Sequence, residues 1–419
     1  MPSKSRASSP RKSYKPGPLL EGVRIVDFTR RYAGSFTALL LGALGAEVLK
    51  VESQLRPDPY RGVKYVEGKL ETIMPRVGMY AAINHNKKSC TLNLNKPEAR
   101  DLLRRLVAIG DVVADSFYTG VMEKYGAAFE QLRRVRPDIV TVTMSGFGQS
   151  GPYGEYRAYG PVGSSFGGVD AMTGFPDGQP VSAGGPLDGI CSETLAYGTL
   201  AALYYRSLTG QGQHVEAAMH EVQMSVAPES MLEYTATGRV PQRKGNRDDV
   251  MAPHSIYPCA GADNWLAIAV NTNGEWKALC GVLGRPEMAR DPRYATAAAR
   301  MRNQVSLDPI IEVWTRQRVN TKAMDVLQKA GVPAAACQNV IQLLEQDPQL
   351  KARGMFVWLD TPGIGHVAVQ RMPGDVKGAL RCIYTPAPRL GAHNEYVFKG
   401  MLGVPDVEYD RLVEQQVIY

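Results

Sequence analysis

Several signatures that define common protein classes are missing from this 419-residue sequence. Its six cysteines are scattered without a Cys-x-x-Cys pair, so neither a zinc site nor a disulfide framework is indicated, and a reducing cytoplasm is expected. The six histidines show no metal-ligand spacing on a helix. No apolar run approaches the ~20 residues that a membrane helix needs. The sequence therefore predicts a protein without a metal, a disulfide or a membrane span.

Motifs of nucleotide and ester chemistry are also missing from the loops where they would be expected. The loop after the first predicted strand contains Gly34 but no Gly-x-Gly-x-x-Gly, which disfavours NAD binding although Glu52 occupies the place of a ribose-binding acid. The chain has no Gly-Lys-Ser/Thr phosphate loop for ATP, and the loop 145–152 contains no Gly-x-Ser-x-Gly elbow. Nicotinamide redox chemistry, ATP use and a serine esterase are therefore disfavoured.

The formal net charge of +7 is concentrated at one end of the chain. Residues 1–17 contain five basic residues and no acid, which leaves +2 for the rest, and the basic residues are Lys4, Arg6, Arg11, Lys12 and Lys15. Such a distribution predicts no nucleic-acid partner, although it allows a modestly basic pocket for an anionic ligand. The same segment is rich in Ser, Pro and Lys and is predicted to be a disordered tail.

The rest of the chain has the patterning of a two-domain α/β protein. Residues 22–28 and 46–51 read as buried strands around a helix that ends near Leu44, and this βαβ unit predicts a parallel, doubly wound sheet. A helix is predicted from Pro97 to Ile109. The predicted divisions are a disordered basic tail (1–17), a large Rossmann-like domain (18–225), a linker (226–249), a small α+β domain (250–345) and a C-terminal return to the large domain (346–419).

Asp188 is the strongest candidate for a reactive side chain. It lies where a loop enters a long apolar helix, so it is either a helix cap or a nucleophile, and the two roles are compatible. A helix N-terminus favours the ionised carboxylate that a nucleophile needs. Gly184, Gly185 and Gly189 leave room for a substrate to approach it.

The loop 145–152 is a second candidate. It follows the predicted strand 139–144, and ligands of open α/β sheets bind at the carboxyl ends of strands. Its three glycines are equally typical of a plain turn.

An ordered set of segments resembles the family III CoA-transferases from about Pro18 to the C-terminus. The segments are 20–29, 44–52, 86–89, 145–148, 209–213, 330–333 and 390–393. The resemblance implies an interlocked dimer in which each chain has a Rossmann-like large domain and a smaller α+β domain. It also implies an acyl-CoA thioester as substrate, an organic acid as acceptor and no permanently bound cofactor.

The chemistry implied by the resemblance is covalent. In this family an aspartate at the position of Asp188 attacks a donor thioester, with succinyl-CoA the favoured donor here, and an aspartyl-CoA intermediate then passes CoA to the acceptor. By the same resemblance Tyr32 occupies the position of an active-site glutamine, and Val121 and Lys124 occupy CoA-contacting positions. All three residues are therefore expected to bind CoA.

This chain departs from the formyl-CoA transferases of the family at several positions. Residues 248–254 replace a tetraglycine loop, and Ser53 and Ser145 stand in place of an arginine and a lysine. Oxalate and formate are therefore not expected as substrates.

Three alternatives to a self-sufficient CoA-transferase remain open. An α-methylacyl-CoA racemase needs a His–Asp pair, and the loop 156–161 contains no histidine. The chain could be one subunit of a hetero-oligomer, so both a homodimer and a heterodimer with a related chain are considered. A plain CoA-binding protein would be unaffected by loss of Asp188.

Overall fold

The computed structural model describes residues 17–66, 69–72, 77–374 and 382–419. The predicted tail, residues 1–17, lies outside the described residues apart from Gly17.

The described residues form a mixture of parallel strands, antiparallel strands and helices. The strands are β1 (Arg24–Asp27), β2 (Glu47–Glu52), β3 (Val63–Val66), β4 (Lys69–Thr72), β5 (Lys87–Thr91), β6 (Val112–Asp115), β7 (Val140–Ser145), β8 (His214–Ala218), β9 (His254–Pro258), β10 (Trp265–Ala269), β11 (Ala334–Ala336), β12 (Phe356–Thr361) and β13 (Gly365–Gln370). The helices are α1 (Ala33–Ala43), α2 (Val77–Asn84), α3 (Pro97–Ile109), α4 (Val121–Lys124), α5 (Phe129–Leu132), α6 (Gly160–Phe166), α7 (Val169–Met172), α8 (Gly184–Thr209), α9 (Met219–Met224), α10 (Pro228–Thr237), α11 (Asn273–Val282), α12 (Ala297–Arg302), α13 (Gln304–Thr315), α14 (Asn320–Lys329), α15 (Pro348–Ala352) and α16 (Asp406–Glu414).

A six-stranded parallel sheet in the order β5-β2-β1-β6-β7-β8 forms the framework of the molecule. The chain builds outward from β1 through β2 to β5, and then returns to the other side of β1 with β6. The strand order therefore reverses between β1 and β6, and ligands of doubly wound sheets bind at such a switch point. The order confirms the predicted doubly wound class.

Burial on both faces explains why these strands are nearly continuous apolar runs. Ile25 packs with α1 and α8 on one face, whereas the next residue, Val26, packs with α3 and the C-terminal residues on the other. Both side chains are fully buried. The alternation fixes the register of β1, because a slip of one residue would exchange the two cores.

The described chain divides into two compact units. One contains the residues up to Val169 together with Ser182–Glu229 and Ala352–Tyr419, and the other contains Asp170–Val181 and Ser230–Lys351. The second unit has a three-stranded antiparallel sheet, ordered β11-β10-β9, packed on helices around the buried Trp276. Its composition is the α+β type that the sequence predicted. Within the described residues, no helix combines the length and apolar character needed to cross a membrane.

Candidate active site

The loop between β1 and α1 is held in place from both sides. The Arg30 backbone N–H donates to Ser116 Oγ at 2.9 Å, and the Arg31 backbone N–H donates to Asp58 Oδ2 at 3.2 Å. Asp58 is itself fully buried and forms an ion pair with Lys50 at 3.3 Å. The loop thus lies at the switch point of the sheet with a fixed backbone.

A cavity of about 720 Å³ opens beside this loop, between the carboxyl ends of β1, β2 and β6. Its volume lies within the range of roughly 300–1,000 Å³ typical of small-molecule sites. The lining residues are Phe28, Arg30, Val51, Glu52, Ser53, Leu55, Arg56, Leu92, Asn93, Leu94, Asn95, Phe117, Tyr118, Thr119, Gly120, Val121, Met122, Lys124 and Tyr125. The sequence-predicted residues Val121 and Lys124 therefore share one cavity.

Three cations give this cavity a positive character. Arg30 and Arg56 line it together with Lys124, so Arg56 brings a guanidinium close to Ser53, where the expected arginine is missing. Arg30 donates to the Pro57 carbonyl oxygen at 2.7 Å, while its Nε has no partner among the described residues. Burial lowers the pKa of Arg30, although the neighbouring acids Asp58 and Glu52 oppose the shift. The cavity is therefore suited to an anionic ligand.

Asp188 lies inside α8 rather than at its cap. The helix begins at Gly184, with Ala183 as N-cap, so Asp188 is its fifth residue and the cap alternative is wrong. Burial raises the pKa of Asp188 to about 7. Desolvation thus opposes the preference of the helix N-terminus for an ionised carboxylate.

Small residues bring backbone up to the Asp188 carboxylate. A β-carbon at Gly160 would lie 2.7 Å from Asp188 Oδ1 and 2.8 Å from the Gly184 carbonyl oxygen, so only glycine fits there. On the outer side, a β-carbon at Gly185 or Gly189 would meet nothing within 4 Å in the described structure. The carboxylate is thus packed against Gly160, whereas the helix surface at Gly185 and Gly189 leaves room for a substrate.

The Asp188 carboxylate accepts a hydrogen bond from an uncharged side chain. Gln223 Nε2 donates to Asp188 Oδ1 at 3.5 Å, and Gln223 is fully buried. Its position depends on Gly163, since a β-carbon there would lie 2.6 Å from Gln223 Oε1. Among the described residues, no cationic side chain forms an ion pair with Asp188, and burial alone accounts for its raised pKa.

Hydrogen bonds fasten the first turns of α8 to the start of α1. Ser192 Oγ lies 2.8 Å from the carbonyl oxygens of both Ala33 and Asp188, and Thr37 Oγ1 donates to the Ser192 carbonyl at 3.1 Å. These groups are buried, so their contacts fix Asp188 relative to the loop that precedes α1.

Tyr32 belongs to the surroundings of Asp188 rather than to the cavity lining. Burial raises the pKa of Tyr32, and the negative charge of Asp188 raises it further. Its ring packs against Phe36 with centroids 5.5 Å apart. The loop between β1 and α1 therefore contributes Arg30 to the cavity and, two residues later, Tyr32 to the carboxylate.

The loop after β7 supports the site through packing. The ring of Phe147 is largely buried and contacts four aromatic side chains, Tyr153, Tyr156, Phe166 and His220. The His220 backbone N–H donates to the Gly146 carbonyl at 3.2 Å. This loop therefore holds α6, which carries Gly160, against α9, which carries Gln223.

In the part of the chain that the structure describes, no group of three or more His, Cys, Asp or Glu side chains could hold a metal ion. The six cysteines are unpaired thiols.

A doubly wound sheet with a basic cavity at its switch point is the architecture of a ligand-binding α/β protein. Comparison with known proteins names the family. The sequence model described as CoA-transferase family III matches residues 20–394. The chain belongs to this family of CoA-transferring enzymes, which confirms the resemblance found in the sequence.

Similar proteins cover nearly the whole chain. The succinyl-CoA--D-citramalate CoA-transferase of Chloroflexus aurantiacus is 33% identical over 407 residues, which is 97% of this chain and 100% of that protein. The succinate--glutarate CoA-transferase of Agrobacterium fabrum is 33% identical over 383 residues, which is 91% of this chain and 95% of that protein. The crystal structure of a CAIB/BAIF family protein from Brucella suis superimposes with a TM-score of 0.81 at 32% identity, over 92% of this chain and 100% of that chain.

Sequence reasoning missed several residues of this site. Arg30 and Arg56 could have been found, because both follow predicted strands at the edge where ligands bind. Gly160 and Gln223 gave no such signal, since only the packing of α6 and α9 against α8 brings them to Asp188.

Proposed function

We propose that this CoA-transferase moves CoA from an acyl-CoA donor, with succinyl-CoA favoured, to an organic acid through covalent intermediates on Asp188. The observation that supports it most is the unpaired, partly buried Asp188 carboxylate joined by one short loop to a basic cavity. Donor and acceptor acids of this kind are named for the relatives from Chloroflexus aurantiacus and Agrobacterium fabrum.

In the first half of the reaction an Asp188 oxygen attacks the carbonyl carbon of the donor thioester. The carbon–sulfur bond breaks, so CoA leaves as a thiolate and a mixed anhydride remains on Asp188. The thiolate then attacks the aspartyl carbonyl carbon of the anhydride. The donor acid leaves as a carboxylate, and Asp188 carries CoA as a thioester.

The second half reverses these steps with another acid. The acceptor carboxylate attacks the aspartyl-CoA carbonyl and expels CoA thiolate, which forms a second anhydride. The thiolate attacks the acceptor acyl carbon, and Asp188 is released as a carboxylate. Each step exchanges one carboxylate or thiolate for another, so the thioester bond is conserved and no ATP is consumed.

The cavity beside the loop is the place proposed for CoA. Arg30, Arg56 and Lys124 offer charge-assisted hydrogen bonds to its phosphates. Tyr118 and Tyr125 offer aromatic surface for its adenine. Val121 lies in the same lining, so the two CoA positions inferred from the family resemblance are retained in this proposal.

The proposed assembly is an interlocked dimer, either of this chain alone or with a related chain. One face of α8 supports it, because large apolar side chains recur there at helical spacing and are exposed in the single chain. They are Ile190, Tyr197, Tyr204 and Leu208. Covering such a face is favourable by roughly 25 cal/mol for each Å² of apolar surface. We also propose a cytoplasmic location, which suits the six free thiols.

The test is the intact mass of the protein after brief mixing with succinyl-CoA and quenching in acid. The native chain is expected to gain a CoA-sized or acyl-sized adduct, whereas Asp188→Asn gains none. Asp115→Asn is the matched control, because Asp115 is another buried carboxylate whose pKa burial raises, to about 6. It should form the adduct like the native chain.

Absence of an adduct with several acyl-CoA donors would contradict the covalent route. Deuterium wash-in at the α-carbon in the same mixture would then point to racemase chemistry. Activity that appears only with a related chain present would instead indicate a hetero-oligomer.

A further inference from the structure

Arg31 has an unusual backbone conformation for an arginine. Its φ of +60° lies in the left-handed region, which side chains other than glycine, asparagine and aspartate rarely adopt. The hydrogen bond from its N–H to the buried Asp58 holds the residue there. Backbone strain of this kind clusters at functional sites.

The Arg31 guanidinium stacks on an aromatic face. Its central carbon lies 4.0 Å from the centroid of the Tyr159 ring. Within the described residues, this guanidinium makes no ion pair and no hydrogen bond to another side chain. A stacked guanidinium keeps its N–H edge available, and that edge matches a carboxylate in a bidentate geometry.

The stack lies next to the proposed nucleophile. Tyr159 precedes Gly160, where a β-carbon would lie 2.7 Å from Asp188 Oδ1. Tyr32 follows Arg31, and the charge of Asp188 acts on its phenol. Gly160 and Tyr32, which follow the two stacked residues in the chain, thus both lie near Asp188.

We infer that Arg31 binds the second carboxylate of a dicarboxylic acyl group whose first carboxyl group reacts at Asp188. The inference rests on the proposed function and deepens it, because it makes Arg31 the residue that selects dicarboxylic over monocarboxylic acids. The stack on Tyr159 aligns the guanidinium before the substrate arrives, so little side-chain freedom is lost on binding. The unusual φ of Arg31 sets the direction from which the side chain reaches the ring.

The test compares Arg31→Met with the native chain on two donors that differ only at the distal end. Succinyl-CoA has a distal carboxylate, and butyryl-CoA has a methyl group in its place. A hydrogen bond between charged groups is worth roughly 1.5–3 kcal/mol, so the variant should lose about 10-fold to 100-fold in the rate of adduct formation with succinyl-CoA. Butyryl-CoA should react at the native rate or slightly faster. Arg31→Lys should recover part of the loss, because it restores charge without the planar fork.

Arg318→Met is the matched control, since Arg318 also stacks on an aromatic ring, 4.3 Å from the centroid of Trp314, in the other compact unit. It should leave both rates unchanged. Equal losses with both donors in Arg31→Met would overturn the inference and assign Arg31 a structural role. Unchanged rates with both donors would overturn it too. If the native chain forms no adduct with either donor, the proposed function itself fails, and this outcome is separate from a failure at Arg31.

Discussion

Two groups of buried carboxylates in the same compact unit differ in how their charge is balanced. Asp27, the last residue of β1, forms an ion pair with Lys87, the first residue of β5. The two charged atoms are 2.9 Å apart, and both side chains are fully buried. Glu52 in the same region is held by Arg61. Asp188 is partly buried as well, but its polar contact is the neutral amide of Gln223.

The pKa values follow this difference in pairing. Burial alone would raise the pKa of Glu52, but the guanidinium of Arg61 lowers it to about 2. The pKa of Asp188 rises to about 7 because burial acts there without a cation. The comparison shows that burial leaves a carboxylate with a raised pKa only where no cation neutralises it. The paired acids are structural, and the unpaired one is the nucleophile of the proposed reaction.

Replacing the unpaired carboxylate should have the largest effect. We expect Asp188→Asn to lower kcat for CoA transfer by roughly 10⁴-fold or more, because the covalent route is lost. Asp115→Asn should retain nearly all activity in the same steady-state assay. A comparable loss in both variants would show that the assay responds to any change in a buried acid.

Removing a cation from the paired region should damage stability instead. Lys87→Met leaves Asp27 buried without its partner, and we expect a loss of about 3–5 kcal/mol in the free energy of unfolding, measured with urea. The control is Lys88→Met, whose partly exposed pair with Glu47 at 3.0 Å should matter by less than about 1 kcal/mol. Equal effects would contradict the distinction between buried and surface pairs.

The raised pKa of Asp188 also has a consequence for stability. Its pKa in the folded chain is about 7 and its ordinary value is 3.8, so between these values the unfolded state releases the proton first. The free energy of unfolding of the native chain therefore falls as the pH rises from 3.8 to about 7. At higher pH it stays at the lower value, as far as Asp188 is concerned. Asp188→Asn should be more stable than the native chain by about 1–3 kcal/mol near pH 8, after allowance for partial exposure, and equal to it near pH 4. A stability difference that does not change with pH would contradict the raised pKa.

The smallest expected effect is at Gln223. Its amide donor favours the ionised form of Asp188, so Gln223→Met should raise the pKa of Asp188 further. Adduct formation with succinyl-CoA should then be about tenfold slower than native below pH 7 and approach the native rate near pH 9. Gln304→Met, at a buried glutamine that donates to the His254 carbonyl in the other unit, is the control. An equal loss at every pH would indicate a packing defect rather than a change in charge.

The sequence predicts the sheet well because its strands are short apolar runs in a βαβ order. It also identifies Asp188, since three glycines surround an acid at the entrance to a long helix. It places the start of α8 too late, because Gly184, Gly185 and Pro186 read as a loop but form the first turn of the helix. The raised pKa of Asp188 is hidden for a related reason, since burial is a tertiary property that a sequence pattern does not display.

The charge pairing that distinguishes the two groups of acids is also a tertiary property. Asp27 and Lys87 are 60 residues apart in the chain and meet only because β5 follows β2 in the sheet. Similarly, Arg30 and Arg31 are adjacent and chemically identical, yet one lines the cavity and the other stacks on Tyr159. Arg31 has a left-handed φ and Arg30 does not, a difference that the residue type does not reveal.

Trapping the intermediate with hydroxylamine during turnover tests the central claim most directly. Hydroxylamine converts an activated carboxyl group into a stable hydroxamate, and peptide mapping then locates the modified residue. The account predicts modification at Asp188 alone, dependent on acyl-CoA, with Glu52 and Asp27 unmodified. A hydroxamate at one of the paired acids, or none at Asp188 while CoA transfer proceeds, would contradict it.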